Sequence, residues 1–209
     1  MKNKNGVMSV NAIIEKITEQ IQEGIYPGAS LALYRDGQWS EHYLGLADPE
    51  KGEPVVADLV YDLASVSKVV GVGTVLTFLW KQGKIELDQS IKTYLPEADY
   101  PDITIRQLLT HSTDLDPFII NRDQLNAEEL KEAMFHLNRR EKRAFLYSDV
   151  HFLLLGFLLE NYFEKNLDQI LQEQVFDPWK MKETQFGLVS SAVPTVRGQK
   201  AGVVHDPKA

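Results

Sequence analysis

The 209-residue chain contains no cysteine, which removes a disulfide framework, a thiol nucleophile and Cys-ligated zinc from consideration. Basic charge is also scarce. There are 22 Lys and Arg against 30 Asp and Glu, a formal net charge of −8, and that balance is a poor match for nucleic acid or an anionic membrane surface. The one dense basic run, "RREKR" (139–143), is interrupted by Glu141 and is expected as a solvated helix end. The opening "MKNKNGVMSVNAIIEKI" lacks the apolar core and small-residue cleavage site of a signal peptide. A cytoplasmic location is the expectation, although a secreted protein trimmed of its signal would look the same. The five histidines (42, 111, 136, 151 and 205) show no zinc-ligand spacing such as H-E-x-x-H, so no metal is expected. "GVGTVL" (71–76) lacks the third glycine of a dinucleotide fingerprint and falls inside a helical pattern. No organic cofactor is expected either.

What remains is the composition of a globular protein, 44% hydrophobic and 25% charged, neither disordered nor membrane-spanning. Its length allows one large domain or two small lobes. "NAIIEKITEQIQEG" places Ile13, Ile14, Ile17 and Ile21 on one helical face, with Gly24 to end it. "GASLALY" (28–34) and "QWSEHYLGLA" (38–47) read as strands joined at Asp36-Gly37, a strong hairpin signal. After the polar loop "DPEKGEP" extended signals fade and helices take over. "SVSKVVGVGTVLTFLWKQ" is apolar nearly all round, as expected of a helix buried on most sides, and Gly83 stops it. Gly71 and Gly73 cost helix propensity and are expected to admit a close neighbour. Thr104/Gln107 and Asn126/Glu129 stand at capping-box spacing. "SDVHFLLLGFLLENYF" (148–163) is a second apolar helix and "LDQILQEQVF" a shorter third. The order helix, hairpin, helical lobe indicates an α+β fold. Two strands are marginal alone, and beyond "AGVV" the tail offers little strand pattern, so the sheet lacks strands.

Within "DLASVSKVVGVGTVL" (62–76), Ser65 precedes Lys68 by three residues. Ten serines and fifteen lysines in 209 residues give about 0.7 such pairs by chance, so the spacing alone is weak. At a helix start, however, i and i+3 lie on one face within mutual reach. Burial and the positive end of the helix dipole would both depress the lysine pKa and make it a base for the serine. The Ser65 N–H would face a developing oxyanion. The structural alternative makes Ser65 an N-cap and Lys68 an exposed first-turn residue, a poor place for a cation. Tyr147-Ser148-Asp149 precedes the second apolar helix. Tyr147 could relay a proton and Asp149 could orient the amine or a substrate amide, or Ser148 or Asp149 could simply cap the helix. In "LLTHSTDL", His111, Ser112 and Asp114 are too close in sequence to converge as a triad, and no G-x-S-x-G elbow exists. That segment is expected as a loop bordering the site.

"LASVSKVVGVGTVLTFLWKQGKIELDQSIKTYLPE", "ITIRQLLTHSTDL", "FLYSDVHFLLLGFLLENYF", "VFDPWKMKETQF" and "GVVHDPKA", in that order, resemble the serine β-lactamase-related family. It comprises class C β-lactamases, low-molecular-mass penicillin-binding proteins (D-Ala-D-Ala carboxypeptidases) and carboxylesterases. The resemblance implies the serine β-lactamase/DD-peptidase fold, a helical lobe against an antiparallel sheet. It implies Ser65 as acyl-enzyme nucleophile, Lys68 as its base partner and Tyr147 as the catalytic tyrosine. Asp149, a substrate-binding candidate, stands where many members have asparagine. Lysine and tyrosine both stay open as the group that takes the serine proton. The implied substrate is a small amide or ester: a β-lactam, a D-Ala peptide or an ester. The family's third motif, Lys- or His-x-Gly on a late strand, does not follow "VHD" here, and "RGQKAG" precedes it. The chain thus resembles roughly the first two-thirds of a member. It is expected as one incomplete domain, with a helix and hairpin at 1–60 and a mainly helical lobe at 61–209. An inactive or penicillin-binding remnant is the alternative, and an exposed sheet edge could self-associate.

Overall fold

The computed structural model describes residues 9–195, 199–200 and 203–204, which form two compact units, Met1–Asp62 with Leu188–Ala209, and Leu63–Gly187. In the first, α1 (Val10–Gln22) starts at Ser9, whose hydroxyl accepts from the Ala12 N–H. Its isoleucines are half-buried, and Gly24 follows it at φ 72°. β1 (Gly28–Arg35) and β2 (Gln38–Asp48) pair antiparallel with Arg35 opposite Gln38. The two residues between them, Asp36 and Gly37, have φ of 52° and 82°, as a primed turn needs. Gly28 and Gly45 face each other at the far end of the ladder. Gly45 has φ 72°, and a Cβ there would meet the Pro27 carbonyl oxygen at 2.3 Å. The loop expected at "DPEKGEP" contributes a short third strand, β3 (Glu53–Pro54), on β2. Among the described residues β1 is therefore an edge. β4 (Gln199–Lys200) and β5 (Val203–Val204), the latter within "AGVV", pair with each other. His205 and Asp206 lie outside the described residues.

The second unit is helical and holds one continuous core of apolar side chains. Its first rod runs from α2 (Val66–Lys68) through five π-helical residues (Val69–Gly73) into α3 (Thr74–Lys81). The rod is not buried on most sides as its composition suggested. Val72, Val75, Leu76 and Leu79 are buried, whereas Val66, Val69 and Trp80 are exposed. Gly71 does admit a close neighbour, since a Cβ there would lie 2.7 Å from Leu171 Cδ1. Both capping boxes form: Thr104/Gln107 opens α4 (Ile105–Leu109), and Asn126/Glu129 opens α5 (Ala127–Phe135). Where α5 ends, the buried Tyr100 hydroxyl donates to the Met134 carbonyl and accepts from the Leu137 N–H. α6 (Asp149–Phe163) is capped by Ser148, whose Oγ accepts from the Val150 N–H. α7 (Leu167–Leu171) and a π-helical segment (Gln172–Phe176) complete the core.

The basic run at 139–143 is not a helix end. Arg139 pairs with Asp102 and Asp114, and Arg143 pairs with Asp102. Arg140 donates to the carbonyls of Thr113 and Leu115. Charge that looked solvated in the sequence instead ties two loops together, because acidic residues far along the chain meet it.

Candidate active site

Ser65 stands just ahead of α2 in helical conformation, and its side chain makes no capping bond. Its Oγ accepts a hydrogen bond from Lys68 Nζ at 3.0 Å. A capping serine would have turned its oxygen toward the first N–H groups of the rod, so the capping alternative is not the one adopted. Ala64, the residue before, is held at φ 44°, a region that costs a side-chain-bearing residue energy and recurs at functional sites. Lys68 is not an exposed first-turn cation either. Its side chain is only 15% exposed, and Nζ lies 2.6 Å from Asp149 Oδ1 and 5.3 Å from the Tyr147 ring centre.

The charge state of this cluster differs from the sequence expectation. Burial pulls the Lys68 amine down, but hydrogen bonds to Asp149 and Tyr147, with their charges, carry it above the ordinary lysine value. An uncharged amine is therefore corrected to an ammonium, because Asp149 and Tyr147 together outweigh burial. Tyr147 moves the other way. Hydrogen bonding with Ser65 first, then with Lys68, holds its phenol below the usual tyrosine value against a smaller effect of burial. Since Lys68 donates to Ser65 Oγ, the hydroxyl proton of Ser65 is left to point at the Tyr147 oxygen.

All four residues expected at the site thus meet. Ser65 and Lys68 come from the start of one rod; Tyr147 and Asp149 flank the cap of α6. Ser112 and Asp114 do not join them. Ser112 Oγ bonds the Thr110 hydroxyl, and Asp114 pairs with Arg139. His111 does more than border the site. It lies at φ 52°, its ring packs against Tyr147 with centroids 4.7 Å apart, and its Nδ1 lies 2.8 Å from Nδ1 of the buried His151. In the sequence His151 stands only as a histidine without zinc-ligand spacing, and Thr113 is not singled out. The only signal was a histidine four residues after Tyr147 on the buried face of an otherwise apolar helix.

The chain belongs to the Beta-lactamase family, whose profile matches residues 13–209. An Escherichia coli (strain K12) protein named as a D-alanyl-D-alanine carboxypeptidase is 28% identical over 238 residues, spanning 96% of this chain and 54% of that protein. A class C β-lactamase from Rhodobacter sphaeroides superposes with a TM-score of 0.70 at 23% identity, over 90% of this chain and 58% of that one. A D-amino acid amidase from Ochrobactrum anthropi SV3, in complex with L-phenylalanine amide, gives 0.69 at 25% identity, over 88% and 55%. The fold is that of the class C β-lactamases, α+β with an antiparallel sheet. The chain spans about half the length of the curated relatives it matches first, rather than the two-thirds the motif order suggested.

Proposed function

We propose that Ser65 is the nucleophile of a serine hydrolase that forms an acyl-enzyme on a small amide or ester, a β-lactam or D-amino-acid derivative being the favoured class. The observation that carries this reading is the 3.0 Å bond from Lys68 Nζ to Ser65 Oγ, with Lys68 clamped by Asp149. Relatives named as carboxypeptidase, β-lactamase and amidase support the substrate class. Tyr147 takes the role of base, because the lysine is already protonated while the phenol is depressed. In the first step Ser65 Oγ bonds to the substrate carbonyl carbon as its proton passes to Tyr147 Oη. The tetrahedral intermediate then expels the amine or alcohol, which takes that proton from Tyr147. Water completes the cycle by attacking the acyl carbon, giving its proton to Tyr147, which returns it to Ser65 Oγ. Lys68 stays charged throughout and stabilises the phenolate. The Ser65 N–H would donate to the oxyanion.

The alternative reading is penicillin binding without useful turnover, in which Ser65 is acylated but the acyl-enzyme is not hydrolysed. A fluorescent penicillin and nitrocefin, applied to the 209-residue protein, separate the two. Covalent labelling with turnover supports the hydrolase, and labelling without turnover supports the binder. Ser65→Ala should abolish both signals, and labelling that survives it would remove Ser65 from the chemistry.

A further inference from the structure

Behind Tyr147 lies a buried hydrogen-bonded chain that the acyl-transfer steps do not use. Thr113 and His151 are almost fully buried and His111 nearly so. Thr113 Oγ1 lies 2.8 Å from His151 Nε2, and His151 Nδ1 lies 2.8 Å from His111 Nδ1. One backbone N–H sets the proton positions, because an amide N–H can only donate. Ser148 N–H donates to His111 Nδ1 at 3.4 Å, so that nitrogen carries a lone pair. His151 Nδ1 must then hold the proton of the imidazole–imidazole bond. As a neutral ring, His151 is left with a bare Nε2, which accepts from the Thr113 hydroxyl. Thr113 Oγ1 in turn accepts from the Leu115 N–H at 3.2 Å. His111, neutral with Nδ1 bare, keeps its own proton on Nε2.

His111 also brackets Tyr147 along the backbone. Its carbonyl accepts from the Leu146 N–H at 2.9 Å, on one side of the tyrosine, and its Nδ1 accepts from Ser148, on the other. Tyr147 is 50% exposed, so burial alone does not immobilise the phenol. This pair of tethers and the adjoining imidazole, tilted 46° to the phenol ring, do. Accordingly we propose that His111 and His151 are positioning residues for Tyr147, His151 acting by locking the His111 ring in its Nε2–H form. The kinetic side of this proposal rests on the assignment of Ser65 and Tyr147 to catalysis; the proton arrangement does not.

The arrangement has a built-in acid limit. A second proton on His111 would leave two N–H groups facing each other across 2.8 Å, and one on His151 Nε2 would force the Thr113 hydroxyl to turn from donor to acceptor. The groups around the pair set where that happens. Burial first and Lys68 next hold His111 below the ordinary histidine value, with Asp149 opposing. Burial, His111 and Arg140 push His151 down to about 4.

Nitrogen-15 spectra of the histidine rings in the 209-residue protein at pH 7 test the lock directly. His111 should appear as the Nε2–H tautomer and His151 as the Nδ1–H tautomer, whether or not the protein turns over a substrate. His111 as Nδ1–H, or either ring averaging between tautomers, overturns the proposal. The variant His151→Phe should lower kcat for a p-nitrophenyl ester by between about tenfold and 10²-fold, the scale of a misplaced catalytic group, with KM unchanged. It should also return the Tyr147 titration, followed by carbon-13 NMR, upward toward the ordinary phenol. His151→Gln, which keeps an N–H donor, should recover most of the rate and serves if the phenylalanine variant fails to fold. An unshifted Tyr147 titration in folded His151→Phe sinks the positioning role. A wild-type protein that neither labels nor turns over, yet shows the two tautomers, sinks the catalytic assignment and leaves the lock standing.

Discussion

At the scale of single residues, the informative result is the sign of the charge on Lys68. A lysine at the head of a helix is pushed toward neutrality by burial and by the dipole, yet burial is outweighed by the carboxylate of Asp149 together with the Tyr147 oxygen. Asp149 also pushes the Tyr147 phenol upward. Removing its charge should therefore lower both values, the lysine losing a partner and the phenol losing a repelling neighbour. If turnover needs the phenolate on the acid limb and the ammonium on the alkaline limb, the whole pH–rate bell of Asp149→Asn moves to lower pH. The displacement is small, because Asp149 is 72% exposed and water screens the pair. Rate–pH profiles for a p-nitrophenyl ester check this. A bell that stays in place or moves upward would take Asp149 out of the proton accounting.

At the scale of elements, the local signals were legible because they depend on nearest neighbours. Capping boxes at Thr104 and Asn126, the Asp36-Gly37 turn and the Gly83 stop all formed where their spacing put them. Three features were not legible, each set by distant residues. The π-helical residues Val69–Gly73 have no signature beyond two glycines, yet one extra residue in a turn rotates what precedes it by about 100°. That separates the face carrying Ser65 and Lys68 from the stripe of Val75, Leu76 and Leu79 that enters the core. The partners of Arg139 are Asp102 and Asp114, invisible to any pattern of the run itself. The third is Tyr100, whose hydroxyl serves two backbone groups at the end of α5 and whose pKa burial raises to about 12. Tyr100→Phe strands the Leu137 N–H and the Met134 carbonyl, and should cost about 1–3 kcal/mol. A urea midpoint shift of the matching size is expected; no shift would mean that water or a neighbour replaces the hydroxyl.

At the scale of the molecule, stability should carry the mark of the buried imidazoles. In the unfolded chain His151 takes a proton near 6.5, whereas folded it does so only at about 4. Between those values the unfolded state binds more protons, so stability is complete above about pH 6.5 and declines as pH falls toward 4. For this group the loss is on the order of 3 kcal/mol. His111, displaced in the same direction, adds to it. The carboxylates of Asp88 and Asp102, held below the usual range by Arg106 and Arg139, lose their contribution only at lower pH. Thermal midpoints measured from pH 7.5 to 4.5 should fall for the wild-type chain and fall less steeply for His151→Phe; equal slopes would contradict the buried neutral ring. The hydroxyl, ammonium, phenol, carboxylate and both imidazoles all come from one uninterrupted stretch, Leu63–Gly187. A genetic crossover at both of its borders would carry these six groups to a new host in one piece, their mutual distances unchanged.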